Sequence, residues 1–172
     1  QPHRPVGNRA LAPFGTTIFA EMSALAVRTG AINLGQGFPD VDGPPELLDA
    51  AVAAIRGGRN QYPPGPGVPE LLEAIAAHQQ RFYGLSVDPG SEVLVTAGAT
   101  EAIAAVVLGL CEPGDEVVTF EPYYDSYAAA VALAGARRVS VPLVRGGVRF
   151  ALDVDAVRAA ITPATAMIVV NT

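Results

Sequence analysis

From residue 92 onward the sequence alternates short, nearly unbroken apolar runs with stretches of helical length. The runs are residues 92–96 (EVLVT), 116–120 (EVVTF), 138–143 (RVSVPL) and 166–171 (AMIVVN). Between them lie helical patterns at residues 100–110, 126–134 and 153–161, the last opening at Asp153. A strand that is apolar on both sides belongs in a sheet covered on both faces. Strands alternating with helices predict an α/β fold with a mostly parallel sheet between helices. Ligands of such sheets bind beyond the carboxyl ends of the strands. That rule directs attention to three turns, at residues 97–100, 121–124 and 171–172.

Upstream, residues 1–16 are rich in Pro, Gly and Arg and read as an N-terminal arm. Thr17, after Thr16, is placed to cap a helix over residues 18–29, with Phe19, Met22, Leu25 and Ala26 on one face. Residues 32–34 form a short extended piece that ends at Gly35-Gln36-Gly37, and the proline-rich residues 38–45 form a structured loop. A helix over 45–56 begins with Pro45 and stops at Gly57-Gly58. After a Pro/Gly loop at 60–67, a further helix runs from Pro69 to about Tyr83 and ends at Gly84.

Composition removes several classes of function. Half of the 172 residues are apolar and 16% are charged, which suits a core-rich globular chain. The net charge is −6, with no basic stripe, so no nucleic-acid partner is expected. No uncharged apolar run approaches the roughly 20 residues that span a bilayer, and the first residues carry no apolar secretion signal. No membrane association and a cytoplasmic location are expected. Cys111 has no second cysteine to pair with and reads as a buried thiol. With His3 and His78 far apart, no metal-ligand spacing exists. All 11 basic side chains other than histidine are arginines, so the sequence contains no lysine.

Three local patterns carry chemistry. Thr96-Ala97-Gly98-Ala99-Thr100-Glu101 joins a buried strand to a helix through small residues. Such a turn lets an anion reach the amides at a helix start, though it is equally a tight packing turn. It is neither the dinucleotide fingerprint nor a P-loop. Glu121-Pro122-Tyr123-Tyr124-Asp125-Ser126-Tyr127 places three of the five tyrosines after a strand. There a ring can cover a flat heteroaromatic ligand or simply pack in the core. Asn33-Leu34-Gly35-Gln36-Gly37-Phe38-Pro39-Asp40 puts glycines where a backbone must turn or approach a ligand closely.

Taken in order, LGQGFPD, NQYPPGPG, VTAGATEAI, EPYYDSY and a strand ending in VVNT resemble the fold-type-I, class I/II aminotransferases. The likeness is to the subgroup with the kynurenine/glutamine, methionine and N-succinyldiaminopimelate enzymes, and it runs from about Thr16 to the last residue. It implies a three-layer large domain for pyridoxal 5′-phosphate (PLP), incomplete at its C-terminus. Residues 1–44 would be the arm, helix and substrate-side loop of the small domain, and 45–172 the first half of the PLP domain. The resemblance makes Gly98, Ala99 and Thr100 the phosphate site and Tyr124 the residue that stacks on the pyridine ring. Gly37 would meet the substrate carboxylate through its backbone. Tyr62 would reach the phosphate site of the other subunit of a homodimer. Asn171 would be the leading asparagine of a P-H-N-P-x-G-type segment and would order that loop. Phe38, Tyr62 and Tyr124 suggest a pocket with aromatic walls.

The resemblance also implies residues that these 172 do not contain: the Schiff-base lysine, the aspartate facing the pyridinium nitrogen and the arginine that clamps the substrate carboxylate. No catalytic residue is assigned, and the piece alone is expected to be inactive. Intact, such a protein would move an amino group between an amino acid and a 2-oxo acid. A PLP-dependent C–S lyase or a non-catalytic aminotransferase-like binding module are the alternatives.

Overall fold

The structure is a computed structural model and describes residues 7–37, 39 and 41–171. The arm residues 1–6, Phe38, Asp40 and Thr172 lie outside the described residues. A 3-10 turn over Arg9–Leu11 precedes α1 (Ile18–Thr29), α2 (Pro45–Arg56), α3 (Pro69–Tyr83) and α4 (Ala99–Leu110). Then follow β1 (Glu116–Glu121), α5 (Ser126–Leu133), β2 (Arg137–Pro142), β3 (Val144–Gly146), β4 (Arg149–Ala151), α6 (Val154–Ala160) and β5 (Thr165–Val169). The chain forms two compact units, one reaching through Thr29 and resuming at Ala97, the other spanning Gly30–Thr96.

The Gly30–Thr96 unit is built on α2 and α3, whose ends follow from local chemistry. Both open with proline in the first turn, where its missing N–H costs nothing. Gly84 closes α3 at φ +67, its N–H bonding to the Gln80 carbonyl and the next amide, Leu85 N–H, to that of Gln79. Residues 92–96, expected as a strand, are not one. Among the described residues no neighbour offers them a ladder, and a strand without a ladder is only extended chain. Their amides bond to loop carbonyls instead, Glu92 N–H to Asp88 at 2.9 Å and Val95 N–H to Pro66 at 2.8 Å, and Leu94 is 63% exposed.

In the other unit β1 is the centre of a three-stranded parallel sheet, ordered β2-β1-β5. Val117 and Val118 point to opposite faces and both are fully buried, so β1 is covered on both sides as its apolar run predicts. On the Val117 face, α4 and α5 supply Val107, Cys111, Ala130 and Val131 to one core cluster, with Met167 and Val169 of β5 packed against it. The Cys111 thiol is buried, as expected, and burial together with the nearby Asp115 raises its pKa. Among the described residues Glu116 is a buried charge: its carboxylate pairs with Arg137 of β2 and accepts from Thr162 Oγ1 at 2.8 Å. The Thr162 bond, then Arg137, holds it below the usual glutamate range. Caps again fix the ends. Thr17 Oγ1 accepts from Ala20 N–H at 3.2 Å, and Asp153 caps α6 through Asp155 and Ala156 N–H.

The hairpin β3–β4 was not anticipated. It turns at Gly147-Val148, where Gly147 takes φ +66. No described helix is long and apolar enough to cross a membrane.

Candidate functional site

The start of α4 is set by Gly98. Its φ of +88 and ψ of 172 fall where essentially only glycine is comfortable. A Cβ there would meet no atom within 4 Å, so the backbone demands glycine and the space beside it stays open. Ala99, Thr100 and Glu101 make the first turn, whose amides have no carbonyl four residues back. The Glu101 carboxylate turns back to accept from Ala97 N–H, outside that first turn. What remains is an exposed helix start with amide donors, the Thr100 hydroxyl and the positive end of the helix dipole.

Thr100 lines a cleft of about 560 Å³ together with Phe14, Thr16, Thr17, Tyr124 and Ser126. Ser126 Oγ is closed off from solvent and has no hydrogen-bond partner among the described residues. The turn after β1 forms the opposite wall. Its entry is pinned by Leu143 N–H on the Glu121 carbonyl at 2.9 Å, and its exit by Tyr127 N–H on the Tyr124 carbonyl at 3.1 Å. Tyr124 is 43% exposed, with Phe19 6.0 Å away and Tyr127 5.9 Å away edge-on, ring centre to ring centre.

Tyr124 also lines a second cavity, of about 270 Å³, at the carboxyl ends of β1 and β5. Thr119, Tyr123, Val169 and Asn171 share its wall. Beneath it Glu121 is held below the usual carboxylate range, first by the Ser140 hydroxyl and then by Arg138. Among the described residues no group of three or more His, Cys, Asp and Glu side chains could hold a metal ion.

Of the residues singled out from sequence, Gly98, Ala99 and Thr100 are consecutive at the start of α4; Thr100 borders the first of the two cavities, Asn171 the second, and Tyr124 both. Gly37 and Tyr62 belong to the other unit. There Gly37 is exposed in a segment where Asn33 Oδ1 accepts from Gly35 N–H at 3.0 Å, and Tyr62 is 100% exposed. Phe38, the third proposed aromatic wall, lies outside the described residues. Sequence reasoning missed the residues 14–17 that border the Thr100 cleft, since an arm rich in Pro and Gly carries no periodicity. It placed Phe19 on the apolar face of α1, and that periodicity was the available signal for its contact with Tyr124.

Comparison with known proteins identifies the family. The model of aminotransferase class I and II matches residues 29–172. A protein of Mycobacterium tuberculosis described as a probable N-succinyldiaminopimelate aminotransferase is 64% identical over 161 residues, covering 94% of this chain and 41% of its own length. The solved structure of N-succinyldiaminopimelate aminotransferase from that organism superposes with a TM-score of 0.89 at 64% identity, over 92% of this chain and 41% of that one. The methionine aminotransferase of Escherichia coli is 53% identical over 125 residues, 73% of this chain and 32% of its own. The chain thus spans about 41% of the length of the first of these relatives. With a family model matched from residue 29 to the end, the chain belongs to the class I and II aminotransferase family.

Proposed function

We propose that the complete protein is a PLP-dependent aminotransferase, moving an amino group between an amino acid and a 2-oxo acid. The observation that carries this reading is the cleft that Thr100, at the start of α4, shares with Tyr124, beyond the end of β1. PLP needs a site for a dianion beside a site for a flat heterocycle. The helix start offers donors and a positive dipole end, with open space at Gly98 where any other residue would carry a side chain. Tyr124 offers a ring face steadied by Phe19 and Tyr127. The residues present fit the group.

Bound there, PLP would supply the electron sink for bond breaking at the substrate α-carbon. In this reading Gly98, Ala99 and Thr100 bind the phosphate, and Tyr124 covers one ring face and keeps water from it. Asn171, at the end of β5, orders the segment that follows. The Gly37 backbone receives the substrate carboxylate. Tyr62 crosses to the neighbouring subunit's phosphate in a cytoplasmic homodimer, a role its full exposure in this chain supports. Residues 1–44 serve the small domain and 45–172 the PLP domain, a division by role in the complete enzyme. The catalytic amine must come from elsewhere in the complete protein, because arginine stays protonated and is a poor nucleophile.

The donor we infer is an N-acylated diamino acid of the N-succinyldiaminopimelate type, on the strength of the 64% identical relative. The test incubates the complete protein and PLP with that donor, methionine or kynurenine, and 2-oxoglutarate. Glutamate formation with the succinylated donor favoured is expected. Absence of transfer from every donor, with no visible coenzyme absorbance, would overturn the reading. Pyruvate released from cystathionine without amino transfer would replace it with the C–S lyase reading.

A further inference from the structure

Arg138 lies behind the aromatic turn and joins four groups on one face of the sheet. In the parallel register Val117 faces Arg138 and Thr119 faces Ser140, so these side chains share a face with Glu121 two residues on. From that position the Arg138 side chain runs toward the carboxyl ends of the strands. Its Nη1 donates to Thr119 Oγ1 at 3.3 Å and Glu121 Oε1 at 3.2 Å, and also to the Ser140 hydroxyl. Its guanidinium carbon sits 4.1 Å from the centre of the Tyr123 ring. Thr119 and Tyr123 both line the cavity shared with Tyr124, whereas Arg138 does not line it. The arginine side chain is 25% exposed, so the contact with Tyr123 is partly shielded from water.

We propose that Arg138 is a positioning residue for the cofactor site, fixing Tyr123 and thereby the orientation of the Tyr124 ring. This rests on the PLP reading of the site. The turn at 121–124 has backbone pins at its two ends, from Leu143 and Tyr127. Between them Arg138 holds Glu121 at one end and the Tyr123 ring in the middle, while Phe19 and Tyr127 flank the Tyr124 ring. Removing that grip leaves the ends pinned and Tyr123 less constrained, so that Tyr124 relies on Phe19 and Tyr127 alone. Tyr124, bonded directly to Tyr123, would then sample more orientations and cover the ring less well. A cation over an aromatic face is held electrostatically, so an apolar side chain of similar length cannot replace it, whereas lysine partly can.

The experiment titrates PLP into the complete protein, freed of cofactor, for parent, R138M, R138K, Y123L and the R138M/Y123L pair. Affinity and the circular dichroism of the coenzyme's visible band are read, the latter reporting how asymmetrically the ring is held. Thermal melts establish that each variant is folded. R138M is expected to weaken PLP about fivefold, the factor matching roughly 1 kcal/mol of lost cation–π attraction. It should also reduce the dichroism per bound coenzyme, with R138K recovering part of both. Y123L should do the same, and the pair should be no worse than either alone. Unchanged affinity and dichroism in R138M and R138K, or strictly additive losses in the pair, would overturn the proposal and leave the PLP reading intact. A parent protein that takes up no PLP would overturn both.

Discussion

Gly98 is the residue whose chemistry is most constrained by backbone alone. Its φ of +88 with ψ near 172 costs about 1–3 kcal/mol for any residue with a Cβ, although no atom would clash with that carbon. G98A in the complete protein should therefore lower unfolding stability by about that amount in urea titrations. PLP affinity should fall with it, since relaxing the strain moves the amides of the first turn. A variant as stable as the parent would show that the conformation is not held. Tyr124 gives a complementary test in which the backbone is untouched. Y124F keeps the ring and should leave PLP affinity within about twofold, whereas Y124A should lose roughly 2- to 12-fold, the range for one aromatic contact. Equal loss in both would assign the role to the hydroxyl. These two residues were legible in the sequence for different reasons: glycine marks strained backbone, and a tyrosine cluster after a strand marks a wall. Arg138 was not legible, because its partners Thr119, Glu121, Ser140 and Tyr123 come together only through strand register.

Elements were read well where the signal is local. The caps at Thr17, Asp153 and Gly84, and the prolines that open α2 and α3, act within a turn or two of themselves, so helix ends fell close to expectation. Residues 92–96 failed because a strand is defined by its neighbour, and an apolar run cannot show whether one is at hand. The hairpin β3–β4 has a local signal, Gly146-Gly147 between β-forming residues, but the stronger α/β pattern around it masks that signal. The sheet itself yields a pH prediction through Glu116, which links β1 to β2 and to the turn before β5. Its folded pKa is lowered, so the native state favours the carboxylate. That contribution is complete above the ordinary glutamate pKa and is lost as pH falls through the folded value. Urea midpoints for E116Q should lie below the parent at pH 7, and the two should converge as pH falls below the ordinary glutamate range. A gap that is constant with pH would mean that the carboxylate's charge contributes nothing.

At the scale of the whole molecule, the proposed dimer can be tested by asking which subunit owns which half of a site. Thr100 and Tyr124 line one cleft within one unit of the chain, whereas Tyr62 is fully exposed in the other unit. If Tyr62 serves the neighbouring subunit's phosphate while Tyr124 serves its own subunit's ring, a Tyr62 variant and a Tyr124 variant must rescue one another. Consider one chain carrying Y62A and another carrying Y124A, each weakened as a homodimer at a PLP concentration that limits loading. In the mixed dimer the chain with Y62A keeps its own Tyr124 and receives an intact Tyr62 from its partner, so its site is complete. The other site carries both defects. Random mixing of equal amounts makes half of the dimers mixed, each with one of two sites intact, so activity should rise above the mean of the two homodimers, by at most about one quarter of the parent's. If Tyr62 instead served its own chain, each mixed dimer would hold one site lacking Tyr62 and one lacking Tyr124, and mixing would restore nothing. The absence of recovery, with dimer exchange verified by a tagged subunit, would assign both residues to a single chain. Because the comparison depends on the arrangement of sites and not on the size of either defect, it separates the two architectures even if each tyrosine contributes only modestly.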